Sequence, residues 1–238
     1  MRHERWTAVD EYFDCLLPVG DIALEGALRR SREAGLPDIA VAPNQGRLLE
    51  LLASATGGRR ILEIGTLGGY STIWLARALA PDGRMISLEI DRDSAEVARE
   101  NIAAAGFGAR VEVRVGDAVD LLLALAAEKV GPFDFTFIDA DKENNPIYFE
   151  WALKMSRRGS MIVVDNVARG GAVANSKSND PDVLGVRSLV DAIAGDPRVR
   201  ATAIQTVGAK GYDGFLLAQV CDEASQRLGR MVSVLSAD

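Results

Sequence analysis

ILEIGTLGGYSTIWLARALA, residues 61–80, reads as a short apolar strand (ILEI, 61–64), a glycine turn and a helix-like run. The same order recurs down the chain. MISLEI (85–90) is a second strand, followed by Ala95, Ala98, Ile102 and Ala105 at helical spacing and a stop at Gly106. VEVRV (111–115) alternates, a leucine-rich helix follows, and FDFTFID (133–139) alternates again. Asn145 as N-cap and Pro146 as first helical residue predict a helix with Ile147, Trp151 and Met155 on one face. Arg157 and Arg158 suit its negative end, and Gly159 is its expected stop. MIVVD (161–165) is the fifth strand, and Asp180-Pro181 opens a helix whose expected face is Val186, Leu189, Val190 and Ile193.

The ending departs from this rhythm. Residues 199–207 and 212–220 both read as strands, joined only by Gly208 to Gly211. Parallel neighbours need a crossover of roughly a dozen residues, so this pair is expected to be an antiparallel hairpin. The fold class is therefore α/β, with a mostly parallel seven-stranded sheet, helices on both faces and a C-terminal antiparallel hairpin. Upstream, residues 7–35 carry helical patterning through Leu17, Leu24 and Leu28, closed by Gly35-Leu36-Pro37, and a second helical stretch surrounds Leu48 to Leu52. One domain is expected, with an N-terminal helical extension (1–58), a core (59–220) and a tail (221–238).

Composition removes several classes of chemistry. The 238 residues include one histidine, His3, at the N-terminus, and two cysteines. That argues against a Ser-His-Asp hydrolase, a His-ligated zinc site or a His general base. Cys15 and Cys221 cannot build a disulfide framework, which fits a reducing, cytoplasmic compartment. A net charge of −7, from 34 acids against 27 bases, argues against a nucleic-acid surface. The start, MRHERWTAVDEYFD, does not read as a signal peptide, and no run of about 18 apolar residues suggests a membrane span. Catalysis is left to carboxylates, lysine, backbone, a cofactor or an oxygen-bound metal.

In such sheets ligands bind beyond the carboxyl ends of the strands. The first strand ends Glu63-Ile64-Gly65-Thr66-Leu67-Gly68-Gly69-Tyr70-Ser71. Glycines let the backbone approach a ligand closely, and a helix N-terminus can receive a carboxylate or phosphate. The spacing is not G-x-G-x-x-G, which weakens a dinucleotide reading. Glu89 ends the second strand, where an acid suits the two hydroxyls of a ribose. Gly116-Asp117-Ala118 follows the third strand; it could meet an adenine ring, or Asp117 could simply cap the next helix.

The fourth strand ends Ile138-Asp139-Ala140-Asp141-Lys142 and the fifth ends Val164-Asp165-Asn166. If these strands are neighbours, Asp139, Asp165 and Asn166 converge as a hard-oxygen set suited to Mg²⁺, Mn²⁺ or Ca²⁺ and not to zinc. The alternative is that these acids only cap helices. Lys142 is either a loop lysine or a base, its pKa lowered by a nearby dication and a partly dry pocket.

At these residues, EIGTLGGYS, LEID around Glu89, GDA, IDADK and VVDN, the sequence resembles the cation-dependent class I O-methyltransferases, the caffeoyl-CoA and catechol O-methyltransferase group. The resemblance runs from about Tyr12 to Val220 and includes GYDGFLLA near the end. It implies a Rossmann-like methyltransferase sandwich that binds S-adenosylmethionine over the glycine turn. Glu63, Gly65, Thr66 and Ser71 would lie about its methionine part, Glu89 at its ribose and Ala118 at its adenine, with Gly69 also among the cofactor-binding residues. Val41, in IAVAPNQG, matches the position where the N-terminal extension meets the cofactor. Asp139, Asp165 and Asn166 match the metal ligands, and Lys142, beside Asp139, matches the catalytic base.

The implied reaction is methyl transfer to a hydroxyl of a small aromatic diol held by Mg²⁺, and the implied assembly is a homodimer. Catechol-specific relatives carry a histidine and an aromatic residue where Ala140-Asp141 stands, which points to the caffeoyl-CoA-like and bacterial branch. No match to the CoA-binding features of plant enzymes is seen. The loop 168–179 and the N-terminal segment are expected to shape the acceptor pocket. The competing readings are an NAD(P)-dependent oxidoreductase and a non-catalytic cofactor-binding protein.

Overall fold

The computed structural model describes residues 2–17 and 20–221. Three helices come first: α1 (Arg2–Leu16), α2 (Ile22–Glu33) and α3 (Pro43–Ala55). Strand and helix then alternate through β1 (Arg60–Ile64), α4 (Tyr70–Arg77), β2 (Arg84–Glu89), α5 (Arg92–Ala104), β3 (Val111–Val115) and α6 (Ala118–Ala127). β4 (Phe133–Ile138), α7 (Asn145–Lys154), β5 (Ser156–Asp165), a 3₁₀ turn (Arg169–Ala174) and α8 (Pro181–Ala194) follow. The hairpin β6 (Val199–Gly208) and β7 (Gly211–Val220) ends the described chain. Apart from Cys221, the expected tail lies outside the described residues.

The seven strands stand in the order β3-β2-β1-β4-β5-β7-β6. β1 to β5 are parallel, and β7 runs antiparallel to both β5 and β6, as the short Gly208–Gly211 link required. Chain direction across the sheet reverses between β1 and β4, which opens a crevice at their carboxyl ends. Alternate strand residues feed two cores. Leu62, Ile64, Leu88, Ile138 and Val164 pack with α6, α7 and α8, while Ile61, Met85, Phe135, Phe137 and Val163 pack with α2 to α5.

Four local expectations are corrected. The single helical pattern of residues 7–35 is two helices, because the Asp21 carboxylate accepts hydrogen bonds from the Ala23 and Leu24 amides and starts α2 afresh. Asn144, not Asn145, occupies the N-cap position of α7, and Pro146 is its second residue. Arg157, Arg158 and Gly159 do not end that helix but belong to β5. Arg157 reaches the buried Asp134 carboxylate at 2.8 Å (Nε) and 2.5 Å, and that pair draws the segment alongside β4. The buried faces also differ: α7 buries Tyr148, Phe149, Ala152 and Leu153 and leaves Ile147 exposed, and α8 buries Val183 with Val186, Leu189 and Ile193 while Val190 faces out.

Candidate active site

Gly65 follows β1 with φ of +98°, and a Cβ there would lie 2.1 Å from the Asp139 carbonyl oxygen. Only glycine permits that approach, and it presses the turn after β1 against the loop after β4. Glu63 stands behind the turn with no exposed surface. Its carboxylate accepts hydrogen bonds from Ser71 (2.7 Å), Thr72 (2.5 Å) and Ser87 (2.6 Å). Burial pushes its pKa up to about 7 against those three hydroxyls, which pull it down. Glu89 holds the turn from the other side: Oε2 accepts from the Thr66 and Leu67 amides at 3.1 and 2.7 Å, and Oε1 from the Asp91 amide at 2.9 Å.

A cavity of about 790 Å³ opens over this turn, and Val41, Gly65, Thr66, Ser71, Glu89 and Ala118 line it. Two of the residues expected there do not. Glu63 acts from behind through Ser71, and Gly69 is the N-cap residue of α4, packed near Ala98. Asp117 is an N-cap, accepting from the Val119 and Asp120 amides, and it also lines the cavity. The far wall comes from α2 and residues 36–41. The buried Asn101 fastens that wall, donating to the Gly68 carbonyl at 2.8 Å and accepting from Arg30 Nε at 2.5 Å.

β4 and β5 are paired neighbours, so Asp139, just past β4, and Asp165, the last residue of β5, meet at one edge. Asp165 is 4% exposed; its Oδ1 accepts from the Asn166 amide at 2.8 Å and its Oδ2 from Gln45 Nε2 at 2.6 Å. Burial, and then the negative charge of Asp139, push its pKa up. Asn166 is left-handed at φ +57°, a conformation asparagine tolerates better than most residues. Asp213, in the GYDGF segment, steadies the following loop by accepting from the Ala168 and Arg169 amides at 3.0 Å. Lys142 Nζ donates to Asp139 Oδ1 at 2.7 Å.

A second cavity of about 740 Å³ adjoins the first, and Asp139 and Asn166 line both while Asp165 lines only the second. Its outer wall is the β6–β7 turn, from Gln205 to Tyr212, together with the start of α3. Of the loop 168–179, which the sequence suggested as a pocket wall, only Arg169 reaches either cavity. Among the described residues no three His, Cys, Asp or Glu side chains cluster as metal ligands; Asn166 stands with the two aspartates on the wall of the second cavity. Sequence reasoning missed Gln45. It also missed the group around Asp141, whose carboxylate accepts from Tyr148 Oη at 2.5 Å and from Asn144 Nδ2 at 2.7 Å on the wall of the first cavity. A carboxylate flanked by an asparagine and a tyrosine one and two turns on was the available signal.

An O-methyltransferase family model matches residues 22–219. A catechol O-methyltransferase from Mycobacterium tuberculosis is 53% identical over 212 residues, covering 89% of this chain and 94% of that protein. Among solved structures, an O-methyltransferase from Bacillus cereus in complex with S-adenosylhomocysteine (SAH) superposes with a TM-score of 0.89 at 55% identity, over 91% of this chain and 99% of that one. An O-methyltransferase from Streptomyces achromogenes involved in tomaymycin synthesis, in complex with S-adenosylmethionine, gives 0.90 at 53% identity, over 93% and 100%. With its sheet order and the crevice between β1 and β4, the chain belongs to the class I O-methyltransferase family.

Proposed function

We propose that this protein transfers the methyl group of S-adenosylmethionine to one hydroxyl of a small aromatic vicinal diol, with a divalent cation held by Asp139, Asp165 and Asn166. The observation that carries the reading is the junction of two cavities at Asp139 and Asn166, with Asp165 on the wall of the second and the first lying over the glycine turn. The residues fit a dication. Their side chains offer oxygen ligands only, and the buried Asp165, whose pKa is pushed up by burial and by the negative charge of Asp139, is relieved by positive charge between the two. When bound, S-adenosylmethionine supplies an electrophilic methyl carbon and the dication supplies Lewis-acid charge that makes a neighbouring hydroxyl more acidic.

The chain's own residues do the rest. Glu89 and Ala118 bind the nucleoside end of the cofactor, and the turn around Gly65 and Ser71 binds its amino-acid end. Lys142, oriented by Asp139, acts from its uncharged amine form: the Nζ lone pair takes the acceptor's hydroxyl proton, and the ammonium that results is paired with the Asp139 carboxylate. The shared wall of residues 38–41 orients cofactor and acceptor toward each other and limits water between them. An oxidoreductase and a non-catalytic binder are not favoured by the relatives' names.

Relatives named catechol O-methyltransferase support a diol acceptor. A homodimer in a reducing cytoplasm completes the reading: Val9, Tyr12, Phe13 and Leu16 expose one apolar stripe of α1, suited to a second copy, and both cysteines are free. Methyl transfer from S-adenosylmethionine to a panel of catechols, hydroxycinnamates and CoA esters, with Mg²⁺ and with EDTA, is the test. Full turnover in EDTA overturns the cation, and turnover of monophenols alone overturns the diol.

A further inference from the structure

The first turn of α3 is pinned by a close approach. A Cβ on Gly46 would lie 2.3 Å from the indole Nε1 of Trp74, a fully buried residue flanked by the Arg47 and Arg77 guanidiniums at 4.9 and 5.1 Å. That contact sets the rotation of the helix about its axis. Gln45, one residue earlier and so about 100° around the helix, is thereby aimed at the carboxyl end of β5. Its Nε2 donates to Asp165 Oδ2 at 2.6 Å, across 120 residues of sequence. The other Asp165 oxygen accepts from the Asn166 amide at 2.8 Å. With one donor on each oxygen, the plane of this carboxylate is set from both sides.

We infer that Gln45 is a positioning residue for the cation site, holding Asp165 in the orientation in which it and Asp139 serve one ion. The inference rests on the proposed reading of Asp139, Asp165 and Asn166 as cation ligands. Its chemistry follows from the kind of donor. An ammonium or guanidinium at this position would fix Asp165 equally well but would place a positive charge against the incoming cation. A neutral amide orients the carboxylate and leaves its charge intact. Asp139 shows the contrast, since the partner of its Oδ1 is Lys142 Nζ, an amine and not an amide. The N-terminal extension therefore supplies part of the cation site as well as a wall of the cofactor cavity, and the core does not build that site alone.

The test uses the full chain with Mn²⁺ as probe, free ion read by electron paramagnetic resonance, and SAH binding read separately by calorimetry. Gln45→Leu removes the donor at similar size; Asn44→Ala, whose side chain bonds Asp10 at 3.1 Å, perturbs the same helical turn without touching Asp165. Gln45→Leu is expected to weaken Mn²⁺ binding about ten-fold or more with SAH affinity unchanged, and Asn44→Ala to leave Mn²⁺ affinity at the wild-type value. Unaltered Mn²⁺ affinity in Gln45→Leu overturns the inference. So does a parallel loss of Mn²⁺ and SAH binding in both variants, which would mark a merely structural helix. Asp165→Ala separates the two levels: if it binds Mn²⁺ as wild type does, the cation reading itself falls; if it alone loses Mn²⁺, only the role of Gln45 falls.

Discussion

Lys142 Nζ sits 2.7 Å from the Asp139 carboxylate, three residues apart on the loop that leaves β4, and the lysine is only 5% exposed. A buried flexible chain with one strong partner has little freedom left, so its head group is delivered to the edge of the cofactor cavity in one orientation. Lys142→Ala is expected to lower turnover of a catechol by about 10²–10⁴-fold, the range for loss of a general base. SAH affinity should stay near wild type. A pH–rate profile identical in shape to the wild type would refute the role of base.

Asp165 is buried beside the like charge of Asp139, and burial and that charge together make its ionisation harder. Asp165→Asn removes one charge while keeping the shape. In EDTA at pH 8 the variant should melt a few degrees above wild type, and its methyl transfer in Mg²⁺ should be lost. A melting temperature below wild type under those conditions would contradict the like-charge account.

Glu63 carries a pH dependence of stability whose sign is fixed by its raised pKa of about 7 against an ordinary 4.5. Below 4.5 it is protonated folded or unfolded and contributes no dependence. Between 4.5 and 7 the unfolded chain releases the proton first, so stability falls as pH rises, and above 7 the loss is complete at about 3 kcal/mol. Glu63→Gln should therefore gain stability relative to wild type between pH 5 and pH 8. Denaturant melts of both proteins at the two pH values measure this, and an unchanged difference between them would rule it out.

Gly65→Ala forces a Cβ to 2.1 Å from a backbone oxygen at a left-handed φ of +98°. The loops after β1 and β4 must part, at a cost of about 3 kcal/mol. The melting temperature and SAH affinity should both drop. A variant as stable as wild type would mean that the two loops are not pressed together.

Much of the fold was legible because its signals are local. The short apolar run at 61–64, the strand-like run at 85–90, the alternating runs at 111–115 and 133–139, and the link of Gly208 to Gly211 depend on neighbours within a few residues, and each became the strand or hairpin expected. The boundary between α7 and β5 was not legible, since Arg157 looks like a helix end until the buried Asp134 of the adjacent strand is in view. The acids at the strand ends could be read as candidates because parallel strands bring their carboxyl ends to one edge. That Glu63 works from behind the cavity, out of the lining, became visible only once Ser71, Thr72 and Ser87 closed around it.

By itself, then, the sequence determined the alternation of strand and helix, the scarcity of histidine, with His3 alone, and the positions from which ligands could come. The tertiary structure alone decided which groups meet. Gln45 reaches Asp165 across 120 residues because Gly46 seats α3 on Trp74, and the β6–β7 turn, not the loop 168–179, walls the second cavity. The physical reason is range: periodicity and turn chemistry act over a few residues, whereas a hydrogen bond between distant segments exists only after packing has fixed both ends.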